Sequence, residues 1–457
     1  MEKHRRISNS NSTAFWRLTS RVPLFVVALL LFVTTIAKAN PVDMRQAREV
    51  GAKFVNGSTQ MRTTANDLRH VVTYSTATGE AAFHVFNTST GFVIVAADDC
   101  ATPILGYSDE GCFDVDNIPV QLTEWLQDYV EDIQYGIEHQ LPAGEYIANQ
   151  WECVRINGTL FADGNRGAVA PLINAMWGQG CYYNSLCPED SLGPCGRVYT
   201  GCVATAMSLI MHYWSYPTSG TGSYSYTPDG YPTQTVNFGA TTYDWAIMPN
   251  QLTSSSSTDE INAVATLMWH CGVAVNMMYG NDGSGAYSSD VPNALTTYFN
   301  YSTDLFSLYR STVSDNEWLS MLKASLNLGY PLYYSGDDGE SGHAFVCDGY
   351  NNSNQLHFNW GWSGYANGYY TLSALNPDGY YPNKNNFAIF RIHPEGTAIN
   401  NSIEASPYPT AGGTVTGTGI YGSGATCTLT AIPDEGYTFT YWTEYDEIVS
   451  NNPSYSF

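Results

Sequence analysis

A glycine and a cysteine at the head of an apolar helical pattern constrain this chain more than any other stretch. In Thr200-Gly201-Cys202-Val203-Ala204-Thr205-Ala206-Met207-Ser208-Leu209-Ile210-Met211-His212-Tyr213-Trp214, the residues Val203, Met207, Ile210, Met211 and Trp214 recur at helical spacing. That periodicity predicts an amphipathic helix entering a core. A thiol at its start feels the positive end of the helix dipole and the unpaired N–H groups there. Both favour the thiolate, which is the nucleophilic form. A free cysteine also packs well in a core. The segment alone leaves Cys202 open between inert core thiol and nucleophile.

The N-terminus reads as an export signal. Lys3, Arg5, Arg6, Arg17 and Arg21 make a basic start, Val22 to Ile36 is uncharged and mostly apolar, and Ala37-Lys38-Ala39 offers small residues where a signal peptidase reads. The apolar run is short for a membrane span and no second long one follows. Residues 1–39 are therefore expected to be a cleaved signal peptide rather than an uncleaved anchor. The mature protein is expected to be secreted or at the cell surface, with no membrane span. Removing Met1 to Ala39 takes away six basic residues and one acid, so the net charge falls from −24 to −29. So acidic a surface disfavours nucleic acid and anionic membranes.

Ten cysteines, at positions 100, 112, 153, 181, 187, 195, 202, 271, 347 and 427, are an even count, which in an exported chain invites disulfides. Their density is low for a scaffold that depends on staples. No Cys-x-x-Cys pair occurs, so a zinc site has no support. Cys181, Cys187 and Cys195 share one loop-rich region where a bridge can form, and the sequence does not choose the pair.

With 457 residues the chain is long enough for roughly three domains. After the signal, Ala47, Val50, Phe54 and Val55 mark a helix, and three alternating segments around 71–74, 82–86 and 91–96 mark strands. Leu122, Trp125, Leu126, Tyr129, Ile133 and Ile137 mark a second helix. Leu141-Pro142-Ala143-Gly144 then breaks the pattern and reads as a linker. In the largest block, helical patterns at 202–214, 261–268 and 318–326 come first. Strand patterns at 331–334, 344–347, 356–360, 369–372 and 387–390 follow, which is the order of an α+β fold with an antiparallel sheet. From about Thr397 short alternating Gly- and Thr-rich strands take over, and the last one is just starting at Tyr455-Ser456-Phe457, as in an incomplete module. The expected division is 1–39 signal, 40–160 small α+β domain, 161–396 main domain and 397–457 β-rich module.

Cysteine catalysis needs a thiolate, a base that moves its proton and a group that fixes the base's tautomer. Of nine histidines, His343 alone opens an apolar strand after a polar, glycine-rich loop, with Gly342 and Ala344 on either side leaving room for a second side chain. Pairing of the following strands is expected to bring Asn359 towards it, so that the amide oxygen accepts one imidazole N–H and frees the other nitrogen for the thiol. Trp360 would cover that bond. Gln179, in a loop before the nucleophile, has an amide that suits an oxyanion. It reads equally well as a polar loop residue.

Trp177-Gly178-Gln179 with Tyr183-Asn184, Gly201-Cys202-Val203-Ala204-Thr205-Ala206-Met207, Gly342-His343-Ala344-Phe345-Val346 and Asn359-Trp360-Gly361-Trp362, in this order, resemble the streptopain family of cysteine peptidases. The resemblance spans most of Val169 to Pro394. It implies a papain-like catalytic domain with a helical lobe and an antiparallel sheet lobe, Cys202 as nucleophile, His343 as general base and acid, and Gln179 as oxyanion donor. It leaves Asn359 and Trp360 as alternatives for holding His343. It also implies that 40–160 is an inhibitory propeptide domain, the chain's own intramolecular partner, released by a cut in the Leu141–Asn165 region. For the substrate site it implies an apolar wall, for which Val273, Val275, Met277 and Met278 are candidates, with Gly342 beside the base.

The function expected is a secreted zymogen of a cysteine endopeptidase acting on proteins or peptides, with no metal or organic cofactor. The alternatives are a catalytically silent surface protein for adhesion or inhibition, and a papain-like cell-wall amidase.

Overall fold

The three alternating segments of the N-terminal unit, extended by a fourth at Ile104–Ser108, form consecutive antiparallel strands at Arg69–Ser75, Ala81–Asn87, Phe92–Ala96 and Ile104–Ser108. Helix Met44–Ser58 packs on them so closely that a Cβ on Gly51 would lie 3.2 Å from the side chains of both Val93 and Val95. The computed structural model describes residues 4–9, 40–58, 63–160, 167–337, 342–375, 386–397, 400–409, 412–422, 424–444 and 447–457. Residues 10–39 of the expected signal peptide lie outside them; the backbone of His4–Asn9 is strand-paired with Asn400–Tyr408 and Phe439–Glu444. Among the described residues no helix is long and apolar enough to cross a membrane.

The segment expected as a linker is partly helical. Leu141–Gly144 does end helix Val120–Glu138, but a new helix, Glu145–Asn157, begins at once. Its Ile147, Trp151 and Val154 recur on one face and are buried in the N-terminal core. The Trp151 indole donates to the Ala101 carbonyl at 2.8 Å. Gly158, at φ 73°, ends the helix in the left-handed conformation that glycine adopts cheaply. The N-terminal core therefore reaches Leu160. A protease, which binds extended chain, meets a folded helix across much of the Leu141–Asn165 zone.

In the main domain, helix Cys202–Trp214 is buried on all faces from Cys202 to Met211 rather than along one stripe. It is wedged between helix Thr258–Ala274 and the strands Leu332–Asp337 and Gly342–Tyr350, so each side of it meets protein. Alternation along Gly342–Tyr350 divides the interior: Ala344 and Val346 join the core around this helix, while Phe345 and Cys347 join the core on the opposite sheet face. That second face is covered by helix Asp315–Asn327 and, from the N-terminal unit, by helix Val120–Glu138.

The two units share one sheet of ten strands. Its order is Arg69–Ser75, Ala81–Asn87, Phe92–Ala96, Ile104–Ser108, Gly368–Tyr370, Leu356–Asn359, Gly342–Tyr350, Leu332–Asp337, Phe387–Phe390 and Phe306–Tyr309. The seam is antiparallel, with Tyr369 opposite Tyr107 and Tyr370 opposite Gly106. Glycine is needed at 106, because a Cβ there would lie 2.6 Å from the Tyr370 ring. Gly413–Thr416, Thr428–Pro433 and Ser454–Ser456 form a three-stranded sheet in the C-terminal module, around a small core of Ile403, Cys427, Leu429, Ala431 and Trp442. Strand Asn400–Tyr408 lies against helix Asp315–Asn327, where the Asn327 amide donates to Glu404 at 2.8 Å.

Candidate active site

Gly201 places Cys202. It precedes the helix with φ 89°, a conformation that a side chain disfavours, and a Cβ on it would lie 2.6 Å from Met277 Sδ and 2.9 Å from the Ser284 carbonyl. Cys202 thus becomes the first residue of the helix, at the positive end of its dipole. It is 6% exposed.

His343 is the second residue of its strand and pairs across to Gly336. It lies on the same side of the strand as Phe345, the side that the N-terminal unit covers. Its ring is hydrogen-bonded to the Cys202 side chain, so helix and strand bring together the thiol and base read from the sequence. The second partner was not anticipated. Glu124 of helix Val120–Glu138 places Oε1 at 3.1 Å from His343 Nε2. Burial pulls the imidazole pKa down, but the contacts with Cys202 and Glu124 outweigh it and raise the value to about 9. The His343 side chain is protonated near neutral pH and donates to the carboxylate.

Glu124 does not act alone. Three residues earlier on the same helix, Gln121 accepts from the Trp362 indole at 2.6 Å and its amide lies 3.4 Å from the Ala344 carbonyl. Trp125 packs edge-on against Phe345, Phe358 and Trp360. Tyr129 donates to the Thr371 carbonyl at 2.6 Å, and Asp132 accepts from Ser373 Oγ and the Ala374 N–H. The sequence carried a signal for this face: polar Gln121, Glu124 and Asp132 border the apolar stripe Leu122, Trp125 and Tyr129. Nothing in that spacing says what the polar members meet.

Asn359 does not reach His343 in this structure. The register sets it opposite Val346, because the turn at 351–355 and an irregularity between Cys347 and Gly349 leave His343 beyond the end of the shorter partner strand. Both ends of its amide meet main chain: Nδ2 donates to the Ala175 carbonyl at 2.8 Å and Oδ1 accepts from the Gly361 N–H at 3.2 Å. Trp360 is fully buried among Phe345, Phe358 and Tyr370, and its indole donates to the Ala366 carbonyl at 2.9 Å. It is Glu124, rather than Asn359 or Trp360, that holds His343 Nε2 here.

The Gln179 main chain is brought to within two residues of Cys202, its carbonyl accepting from the Thr200 N–H at 3.0 Å. Val275 and Met277 are 1% and 0% exposed and form no accessible wall. Val275 caps helix Thr258–Ala274, and Met277 packs under Gly201. Met278, the next residue, is 53% exposed, and Gly342 opens the His343 strand opposite Asp337. Of the three neighbouring cysteines, Cys181 and Cys195 form a disulfide, while Cys187 is a buried free thiol whose pKa burial pushes up to about 12. None of the three is left as a reactive partner for Cys202.

Comparison with known proteins follows this anatomy. Residues 177–370 match the Peptidase C10 family, residues 39–133 the Spi protease inhibitor and residues 404–457 the divergent InlB B-repeat domain. Streptopain of Streptococcus pyogenes is 31% identical over 379 residues, covering 76% of this chain and 91% of its own. The chain belongs to the peptidase C10 family. Its thiol protease/hemagglutinin relative PrtT of Porphyromonas gingivalis is 34% identical over 362 residues, 77% of this chain, and the match spans 41% of the length of PrtT. Among solved structures, prointerpain A of Prevotella intermedia superposes with a TM-score of 0.60 at 34% identity, covering 72% of this chain and 99% of that one. The peptidase C10 chemistry is cysteine-type proteolysis, and this C10 chain carries an inhibitor domain ahead of its papain-like peptidase domain, the arrangement of a zymogen.

Proposed function

We propose that the chain is the precursor of a secreted cysteine endopeptidase, held latent by its own residues 40–160 and activated when they are cut away. The observation that carries this reading is the contact of the Cys202 thiol with His343 at a helix N-terminus, while the second imidazole partner comes from the inhibitor domain. In the released enzyme the Cys202 thiolate attacks the carbonyl carbon of a peptide bond. The Gln179 amide and the Cys202 backbone N–H hold the oxyanion. His343 gives its proton to the leaving amine, which departs as the thioester forms. It then takes a proton from water, whose hydroxide attacks the thioester, releases the acid and restores the thiol. With Glu124 gone, Asn359 or Trp360 takes over the orientation of His343.

Latency has two parts in this reading. Helix Val120–Glu138 engages His343 directly, and the shared sheet anchors that helix to the peptidase domain. Incubating the purified precursor under reducing conditions and sequencing the N-termini of the fragments tests the proposal. Conversion to a species beginning near 161–167, with casein hydrolysis that an epoxide-type thiol inhibitor blocks, is the expected result. A Cys202→Ala precursor that matures at the same rate without any other protease would overturn it.

A further inference from the structure

The loop between Gln179 and Cys202 is closed by the Cys181–Cys195 disulfide. Cys181 follows Gln179 by two residues, and Cys195 lies in the other leg, which runs directly into the nucleophile. The legs meet where the Thr200 N–H and hydroxyl approach the Gln179 carbonyl at 3.0 and 3.4 Å. Further out, the Asn184 N–H donates to Gly180 at 3.0 Å, and the Asn184 amide donates to the carbonyls of Pro194 and Val198 at 2.8 and 3.1 Å. The far end of the loop is fastened to the helical lobe: Tyr231 and Asn281 both donate to Asp190 Oδ2, at 2.8 and 3.1 Å. Cys187 sits inside the closed loop, 1% exposed and held as the thiol, so it is not poised to exchange into the bond.

Every one of these ties except the disulfide is a hydrogen bond, and those that fasten Asp190 are only part-buried. The disulfide is the covalent tie between the leg that carries Gln179 and the leg that carries Cys202. We propose that the Cys181–Cys195 disulfide is a positioning element for catalysis, fixing the Gln179 main chain against Thr200 so that the Gln179 amide meets the oxyanion formed at Cys202. This rests on Gln179 as oxyanion donor. The enzyme then needs its sulfurs in opposite states, Cys202 reduced and the loop pair oxidised. A dithiol reductant at low concentration keeps Cys202 free. At high concentration it passes two electrons and two protons to the Cys181–Cys195 bond, leaves as its own cyclic disulfide and yields two loop thiols. The legs are then held by hydrogen bonds alone, and a displaced donor loses transition-state contact without losing substrate contact.

The test compares matured wild type with Cys181→Ser/Cys195→Ser, both expressed as the full chain and normalised by titrating Cys202 with an epoxide-type inhibitor. The expected result is a fall of about tenfold in kcat with KM unchanged, since misplacing an oxyanion donor acts on the transition state. An unchanged kcat per titrated site, with only a lower thermal midpoint, would make the disulfide a simple staple and overturn the proposal. If the double variant does not fold, graded dithiol on wild type gives the answer, with mass spectrometry of alkylated Cys181 and Cys195 alongside. Activity should rise and then fall as the pair becomes alkylated, and a plateau that persists after full alkylation overturns the proposal. Gln179→Ala keeps the two readings apart. If it leaves kcat unchanged, the oxyanion assignment fails and the positioning role falls with it. If it lowers kcat and the double variant does not, the positioning role alone fails.

Discussion

Glu124 Oε1 and His343 Nε2 lie 3.1 Å apart, joining the inhibitor domain to the histidine beside Cys202 by a charged hydrogen bond that is largely shielded from water. Such bonds contribute about 2 kcal/mol. Glu124→Gln keeps the shape of the side chain and removes its charge. The variant precursor should mature faster than wild type under reducing conditions, by about tenfold if the bond resists release. Gel densitometry over time measures it. Slower maturation would show instead that Glu124 assists His343 during self-cleavage.

The same contact sets an alkaline limit to latency. His343 is raised above its unfolded value, to about 9, by Cys202 and Glu124 against the opposing effect of burial. Its contribution to the folded precursor is complete below about 6.5, the unfolded histidine value, and is lost as pH rises through about 9. Urea unfolding of the Cys202→Ser precursor, which cannot cleave itself and keeps only the Glu124 contact, should still lose stability as pH rises above about 7. The loss should largely disappear when Glu124→Gln is added, because the remaining raising contact is then weakened.

His84 sets an acid limit in the opposite sense. Burial, and then the neighbouring His70, lower its pKa to about 4, with Asp43 and the Val42 backbone offsetting part of this. Its Nδ1 is bonded to Thr73 Oγ1 at 2.8 Å within the inhibitor domain. As pH falls through about 6.5 the unfolded chain takes up a proton that the folded one refuses until about 4, so stability declines over that window. Circular dichroism melts of the precursor should show this decline, and His84→Gln should flatten it. Latency should be firmest between the His84 and His343 windows, around neutral pH.

Gly106→Ala tests the shared sheet. The added methyl would lie 2.6 Å from the ring of Tyr370, which is fully buried and whose hydroxyl donates to the Ala366 carbonyl at 2.7 Å. The ring cannot swing aside, so the seam should weaken by about 1–3 kcal/mol, the range for overpacking. After cleavage the inhibitor domain should dissociate at lower denaturant than in wild type, followed by size-exclusion chromatography. The matured enzyme, which no longer contains residue 106, should keep its wild-type kcat.

Much of this protein is legible in the chain itself. The 3.6-residue spacing from Val203 to Trp214 dictates a helix, a helix has a positive end, and Gly201-Cys202 stands at that end whatever packs around it. His343 at the head of an apolar strand, and the motif order around it, are equally local facts, which is why the chain itself singles out the two side chains that the structure brings into contact. Local pattern also gave the order of helices and strands. It failed at Glu145–Asn157, where three buried apolar residues, Ile147, Trp151 and Val154, tie to the N-terminal core a helix whose other face is largely polar. What spacing cannot carry is register between distant segments. Asn359 faces Val346 rather than His343 because a turn and an irregularity shift the pairing, and Met277 is sealed because Gly201 lets it pack close beneath. Glu124 meets His343 because four strands of one domain extend the sheet of another and swing a helix over its face. Secondary structure follows from interactions a few residues apart, whereas these contacts depend on how separate cores are stacked, and only the tertiary structure decides that.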